Sequence, residues 1–173
     1  DSRTVETRPL PASSVGPDPN RLWCGSEGAL GIITDVRLRV VADPEFKESA
    51  SVNFKDFESA LEAARAIVHA ELWPAQMRVL DPYEHLVSSA MSGRLGQGAL
   101  MILGFEGPLP VTATCQAALD IAQAHGGTPQ PKKEKGAGDW RDTFFQQPYL
   151  RDVLLDYAVL ADTFETAIPW SAV

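Results

Sequence analysis

Three glycines fall within seven residues in the segment Gly25–Gly31, whose sequence is GSEGALG. Glycine adopts positive φ angles without strain, and its bare α-carbon lets a ligand approach the backbone closely. Unpaired N–H groups in such a loop suit a phosphate or the polar edge of a heterocycle. The segment is not a nucleotide-phosphate loop, because no Gly-Lys-Ser/Thr follows, nor a dinucleotide fingerprint, because a strand pattern follows it. A tight turn before a strand explains the same spacing equally well.

Arg151 is a second candidate, since it follows Pro148 and Tyr149 among aromatic and apolar residues. A guanidinium in that setting suits an anionic group, which it holds through two parallel hydrogen bonds. A salt bridge to Asp152 or Asp156 accounts for the same arginine equally well. The sequence leaves both interpretations open.

The histidines and cysteines predict no metal site. His69, His85 and His125 fall on predicted helices without partners at metal-ligand spacing, so we expect surface or helix-cap positions. Cys24 precedes the glycine loop, where a contact with a ligand is one interpretation, but we expect a small buried thiol; Cys115 is expected to lie in the core on a helix. Two cysteines so far apart are too few for a disulfide framework or a thiolate metal centre.

The composition excludes several classes of protein. The 173 residues carry 15 Lys and Arg against 23 Asp and Glu, a formal charge of -8, and 45% are hydrophobic. This balance predicts a folded core and argues against a nucleic-acid or anionic-membrane surface. With no signal peptide and no apolar run near ~18 residues, we predict a cytoplasmic protein without a transmembrane segment. The chain opens on Asp1 and stops at Val173 after an apolar run, so we expect a fragment of a larger protein.

The elements that must position these residues divide at Asp43-Pro44-Glu45. Before this boundary, Val36, Leu38 and Val40 alternate with polar residues, which predicts a half-buried strand over residues 32–40. After it, strand patterns alternate with helix patterns in the order β-α-β-β-α-β, with a short helix at residues 84–91 set aside as an insertion. The predicted strands cover residues 50–54, 77–79, 99–105 and 128–133, and strand-like stretches recur at 157–160 and 163–167.

Two helices complete this order. Asp56 caps the first, whose predicted apolar stripe is Phe57, Leu61, Ala64 and Val68. The second carries Val111, Cys115, Ala118 and Ala122 on one face and ends at Gly126-Gly127. The pattern predicts an α+β, ferredoxin-like domain with helices on one face of an antiparallel sheet.

Two parts of the sequence carry a family resemblance. Gly16-Pro17-Asp18, followed by GSEGALGIIT at residues 25–34, resembles the end of the FAD-binding domain in FAD-linked oxidases of the vanillyl-alcohol-oxidase type. The tail resembles the alkylglycerone-phosphate synthase (alkyldihydroxyacetonephosphate synthase) branch. The segments that carry this likeness are PYLRD (148–152), LDY (155–157), DTFET (162–166) and PW (169–170). The resemblance covers most of the chain and is strongest at residues 14–40 and 140–173.

This resemblance implies FAD as the cofactor. Residues 1–44 would be the C-terminal part of an FAD-binding domain, and residues 45–173 an incomplete cap domain that binds substrate over the flavin. Arg151 would bind the anionic substrate. The residues implied to lie against the flavin are Gly25, Ser26, Glu27, Gly28, Ala29, Leu30, Gly31 and Ile32.

The synthase branch implies a reaction in which a fatty alcohol replaces the acyl group of acyl-dihydroxyacetone phosphate via a flavin adduct. The alternative is a FAD-linked D-2-hydroxyacid dehydrogenase of the lactate or glycolate type. A third hypothesis is a binding module that has the ferredoxin-like fold but no catalytic activity. In both enzymes the flavin supplies the chemistry and the protein positions the substrate. The implied partner is a small anionic, lipid-derived molecule. The resemblance is also compatible with a homodimer. As a fragment, the chain is expected neither to bind FAD tightly nor to turn over alone.

Overall fold

The computed structural model describes residues 3–10, 14–91, 95–131, 149, 151–160 and 165–173. The chain divides into two compact units, Asp1–Asp43 and Pro44–Val173. Among the helices of the described residues, none has the length and apolar character needed to cross a bilayer.

The first unit contains turns, extended chain and one short helix, α1 (Asn20–Trp23). The strand predicted over residues 32–40 is wrong: residues 31–44 have no regular secondary structure, and Ile32 and Val40 are 89% and 85% exposed. A strand pairs its N–H and C=O groups with a neighbouring strand. Within residues 3–10 and 14–43 no strand is available as that neighbour, so the alternating pattern has nothing to pair with.

The second unit is built on a four-stranded antiparallel sheet with the order β2-β3-β1-β4. Its strands are β1 (Phe46–Phe54), β2 (Gln76–Leu80), β3 (Ala99–Gly107) and β4 (Thr128–Pro129). The longest pairing joins β1 and β3, from Phe46 opposite Gly107 to Phe54 opposite Ala99. The predicted fourth strand is present but only two residues long.

Three helices connect these strands, namely α2 (Phe57–His69), α3 (Pro82–Met91) and α4 (Thr112–Ala124). With α3 as an insertion, the order is β-α-β-β-α-β, which confirms the predicted ferredoxin-like α+β fold. Alternate residues of β1 and β3 meet α2 and α4 in one core. The fully buried side chains of this core include Val52, Ile67, Met101 and Leu103.

Helix α2 begins as predicted, because the Asp56 carboxylate accepts a hydrogen bond from the Ser59 N–H at 2.9 Å. Its buried face differs from the predicted stripe. The buried residues are Ala60, Ala63, Ala64 and Ile67, and Val68 is 37% exposed. The helix contacts the sheet and α4 at once, and small alanine side chains let these backbones approach closely.

Helix α4 ends at the glycine pair as predicted. Gly126 takes a φ of +86°, its N–H donates to the Gln123 carbonyl, and the Gly127 N–H donates to the Ala122 carbonyl, both at 2.9 Å. This is a Schellman motif, which pairs the last helix carbonyls. Cys115, Ala118 and Ala122 are buried, which confirms the predicted stripe.

The sheet has a second face, opposite α2 and α4, to which Arg78, Leu80, Ser49 and Ser51 are directed by strand alternation. Helix α3 packs on one end of this face: Leu80 is 2% exposed, and Arg78 forms an ion pair with Glu84 of α3. Helices therefore lie on both faces of the sheet. The predicted arrangement, with helices on one face, holds for α2 and α4 but not for α3.

The tail differs from its strand-like prediction. Residues 151–156 are helical, and residues 157–160 form a turn and extended chain. The N–H of Val159 donates to the Leu154 carbonyl at 2.9 Å, while Ala158 takes a φ of 58°. This ends the helix and prevents a strand there. The stretch predicted at 163–167 lies partly outside the described residues, and its described part, 165–167, has no regular secondary structure.

Candidate functional site

The glycine loop, residues 25–32, begins with a tight turn that starts at Trp23. The N–H of Ser26 donates to the Trp23 carbonyl at 3.2 Å. Between them Cys24 has φ -65° and ψ 129°, and Gly25 has φ +81°. This is the type II pattern, which needs positive φ at its third residue. The glycine at position 25 is therefore a requirement of the backbone.

A second turn follows directly. The N–H of Ala29 donates to the Ser26 carbonyl at 2.8 Å, and the two residues between them, Glu27 and Gly28, have φ angles of 49° and 82°. Two consecutive positive φ values give the type I′ pattern. A Cβ added at Gly25 or Gly28 would meet no atom within 4 Å, so conformation and not crowding selects glycine there. The space above both residues is open.

Most N–H groups of the glycine loop donate no hydrogen bond to any residue that the structure describes. Within the described part of the chain, no hydrogen bond is donated by the N–H groups of Gly25, Glu27, Gly28, Leu30, Gly31 or Ile32. The loop is exposed except at Ser26, which is half-buried. An exposed run of unpaired N–H groups is suited to an anion or to the acceptor atoms of a heterocycle.

Arg151 lies on the helical segment 151–156 with an exposed side chain. Among the described residues no carboxylate pairs with its guanidinium, and these residues include Asp152 and Asp156. The salt bridge that the sequence left open as an alternative is thus not formed. An exposed guanidinium suits an anionic ligand.

A cleft of about 310 Å³ lies on the part of the second sheet face that α3 leaves uncovered. Its central row crosses three strands, with Ser49 of β1 and Gln76 of β2 both opposite Gly104 of β3. A Cβ on Gly104 would lie 3.4 Å from the Gln76 Cβ, so the missing side chain deepens the floor. The cleft is lined by the hydroxyls of Ser49 and Ser51 and the Gln76 amide, and also by the charged residues Lys47, Glu48 and Glu106. Sequence reasoning missed this cleft; its only signal was the alternate small polar residues of β1.

The histidines occupy three different environments. His85 is 6% exposed and lies within α3, which contradicts the expected surface or helix-cap position, and its Nδ1 donates to the Gly98 carbonyl at 2.9 Å. His125 caps α4 as expected, with Nδ1 2.9 Å from the Ile121 carbonyl oxygen. His69 is the exposed last residue of α2.

The two cysteines lie in different environments. Cys24 is exposed, so the expectation of a buried thiol is wrong: it occupies the outer position of an exposed turn. Cys115 is buried in the core as expected. No group of three or more His, Cys, Asp or Glu side chains gathers at a metal-binding geometry in the described ranges.

The family is decided by comparison with protein-family models. The model for "FAD linked oxidases, C-terminal domain" matches residues 43–173. The chain belongs to the FAD-linked oxidases. This match begins at the division between the two units, and the glycine loop lies before it.

The relatives of this FAD-linked oxidase chain include synthases and dehydrogenases. Alkyldihydroxyacetonephosphate synthase of Trypanosoma brucei brucei is 28% identical over 189 residues, which cover 95% of this chain and 30% of that protein. A solved structure of alkyldihydroxyacetonephosphate synthase has 29% identity and a TM-score of 0.64, with 82% of this chain and 31% of that chain covered.

Another relative is a dehydrogenase. The mitochondrial cytochrome-type D-lactate dehydrogenase of Arabidopsis thaliana is 29% identical over 131 residues, which cover 70% of this chain and 23% of that protein. The chain therefore spans less than a third of the length of these relatives.

Proposed function

We propose that this chain is part of a FAD-dependent enzyme that exchanges the acyl group of acyl-dihydroxyacetone phosphate for a fatty alcohol. The observation that carries this proposal is the reach of the similarity. The synthase from Trypanosoma brucei brucei matches 95% of the chain, whereas the dehydrogenase from Arabidopsis thaliana matches 70%. The substrate of the proposed enzyme is an anionic, lipid-derived molecule. The homodimer stays a prediction.

The glycine loop is the proposed contact with the cofactor, and its geometry fits a flavin. A flavin ring carries carbonyl oxygens and a ring nitrogen along one edge, and these accept hydrogen bonds. The loop offers unpaired N–H groups, and at Gly25 and Gly28 the space above the backbone is open. When bound, FAD supplies the bond-making chemistry at the substrate carbon. The chain's own contribution is to bind the ring edge and fix its orientation.

Arg151 is the proposed clamp for the anionic part of the substrate. Its guanidinium is exposed and has no carboxylate partner among the described residues, which supports a role in binding a phosphate. A planar guanidinium holds two phosphate oxygens at once and so fixes the orientation of the substrate.

We propose that the two parts of the chain have the domain assignments that the resemblance implies. Residues 1–44 belong to an FAD-binding domain, and residues 45–173 to a cap domain that binds substrate. The cleft beside Ser49 and Gln76 supports the second assignment, since hydroxyl and amide groups suit the carbonyl and hydroxyl oxygens of a dihydroxyacetone unit.

A D-2-hydroxyacid dehydrogenase is the second candidate, favoured by the Arabidopsis thaliana relative. Its substrate also carries an anionic group, here a carboxylate, which Arg151 is equally suited to bind. The two candidates differ in whether electrons leave the substrate.

Two assays on the intact flavoprotein separate the candidates. In the first, acyl-dihydroxyacetone phosphate is incubated with a radiolabelled long-chain alcohol, and label in the ether product is counted. In the second, D-lactate or glycolate is offered with an electron-accepting dye. Alcohol incorporation without dye reduction supports the synthase. Dye reduction without incorporation overturns it in favour of the dehydrogenase, and a flavin-loaded protein inactive in both assays contradicts both.

A further inference from the structure

Trp23, at which the first turn starts, contacts Gly31 near the end of the glycine loop. A Cβ built on Gly31 would lie 3.4 Å from Cζ3 and 4.0 Å from Cε3 of Trp23. The α-carbon of Gly31 therefore rests against the six-membered ring of the indole. The two turns between them reverse the chain, which brings together residues that are eight positions apart.

Trp23 is held at its base by the short helix α1. The Asp18 carboxylate accepts from the Asn20 N–H at 3.0 Å, and the Pro19 carbonyl accepts from Leu22 and Trp23 at 3.0 and 3.4 Å. The Cys24 N–H then donates to the Asn20 carbonyl at 3.0 Å. The backbone on the N-terminal side of the loop is thus fixed by hydrogen bonds.

The burial of Trp23 distinguishes it from its neighbours. Among the large apolar side chains that the structure describes in the first unit, Trp23 is half-buried while the others are each more than half exposed. Those others include Leu22 at 63% and Leu30 at 53%. The part of the Trp23 surface that is shielded from solvent includes its contact with Gly31.

We propose that Trp23 is a positioning residue for the glycine loop, and that its indole holds the unpaired N–H groups of residues 27–32 in one arrangement for a flavin. This inference rests on the proposed function. Glycine residues have the greatest backbone freedom of any residue, so a loop with several glycines loses much entropy when it binds a ligand. A preformed contact between Trp23 and Gly31 removes part of that loss before the ligand arrives, which raises affinity.

The test compares the wild-type intact flavoprotein with Trp23→Ala, Trp23→Phe and the control Leu22→Ala. After removal of the flavin, FAD affinity is measured by titration, and amide hydrogen exchange is followed at residues 27–32. Trp23→Ala is expected to weaken FAD binding by about 10-fold. It should also speed exchange in the loop and change the visible circular dichroism of bound flavin. Trp23→Phe keeps a flat ring against Gly31 and should restore most of each property, and Leu22→Ala should alter none.

The outcomes separate this inference from the function beneath it. If wild-type protein binds FAD and Trp23→Ala binds it equally well, with the same flavin spectrum, the positioning role is overturned and the proposed function stands. Failure of Trp23→Phe to rescue also counts against the positioning role, because ring packing would then not be the cause. If wild-type apoprotein binds no FAD, the proposed function fails and this inference fails with it.

Discussion

The ring nitrogen Nδ1 of His85 lies 2.9 Å from the carbonyl oxygen of Gly98. His85 belongs to α3, and Gly98 immediately precedes β3, so this hydrogen bond ties the inserted helix to the sheet. A Cβ on Gly96 would lie only 2.6 Å from the His85 ring and from the Ser89 hydroxyl. The described residues just before β3, Gly96 and Gly98, therefore lie close to the buried ring of His85.

Replacing His85 by alanine is expected to lower the free energy of unfolding by about 2 kcal/mol, because a buried ring is lost and the Gly98 carbonyl loses its donor. The control is His69→Ala at the exposed end of α2, which should change stability by less than about 0.5 kcal/mol. Urea denaturation measures both. Equal effects of the two substitutions would contradict the structural role of His85.

The stability of the second unit is expected to fall at acid pH partly through Asp56. Hydrogen bonds from the Ser59 hydroxyl and then from the Ser59 N–H hold the pKa of Asp56 below its ordinary 3.8. A lowered folded-state pKa contributes stability above the unfolded pKa, and that contribution is lost as pH falls through the folded value. Asparagine also caps a helix but does not titrate. We therefore expect the free energy of unfolding of Asp56→Asn to fall less steeply than that of wild type below about pH 4.

Ser59→Ala is the matched variant for this prediction. It removes the hydroxyl donor and keeps the N–H, so the pKa of Asp56 should move upward towards its ordinary value. Carboxyl resonances followed by NMR through the titration measure this directly. An Asp56 titration that Ser59→Ala leaves in place would contradict the assigned cause.

The glycine pair that ends α4 should respond to alanine in two different ways. Gly126 has positive φ but open space around its Cβ position, so Gly126→Ala is expected to cost about 1 kcal/mol of backbone strain. A Cβ on Gly127 would lie 2.6 Å from Val52 Cγ1 and 2.8 Å from Phe54 Cζ. Gly127→Ala should therefore cost about 3 kcal/mol through overpacking.

Asparagine distinguishes the two mechanisms, because it tolerates positive φ but is larger than alanine. Gly126→Asn should be milder than Gly126→Ala, while Gly127→Asn should be at least as damaging as Gly127→Ala. Denaturation midpoints rank the four variants, and the reverse ranking at either position would show that the assigned cause is wrong.

Arg151 is expected to control substrate affinity in the intact flavoprotein. Arg151→Ala should raise KM for acyl-dihydroxyacetone phosphate by about 10- to 100-fold, because the positively charged guanidinium proposed to hydrogen-bond the phosphate is lost. Arg151→Lys keeps the charge without the two-pronged geometry and should fall between. Arg65→Ala is the control, because Arg65 pairs with Glu62 on the surface of α2. An unchanged KM in Arg151→Ala would remove this residue from the substrate site.

Much of the candidate site was open to prediction because its signals are local. A glycine at positive φ is required by the turn that contains it, so the Gly25 and Gly28 turns follow from neighbouring residues alone. The cleft beside Ser49 and Gln76 was not open to prediction in the same way. Its row of residues comes from three strands, and pairing across a sheet depends on register between segments far apart in sequence.

The sequence by itself determined the features that a residue and its near neighbours decide: the Asp56 cap of α2, the glycine stop of α4 and the β-α-β-β-α-β order. Tertiary structure alone decided which face of α2 is buried, because that choice depends on how closely the sheet and α4 approach its alanines. It also decided that His85 is buried and that residues 32–40 form no strand. Burial and strand pairing both require a partner from elsewhere in the fold, and the spacing of residues along the chain does not specify that partner.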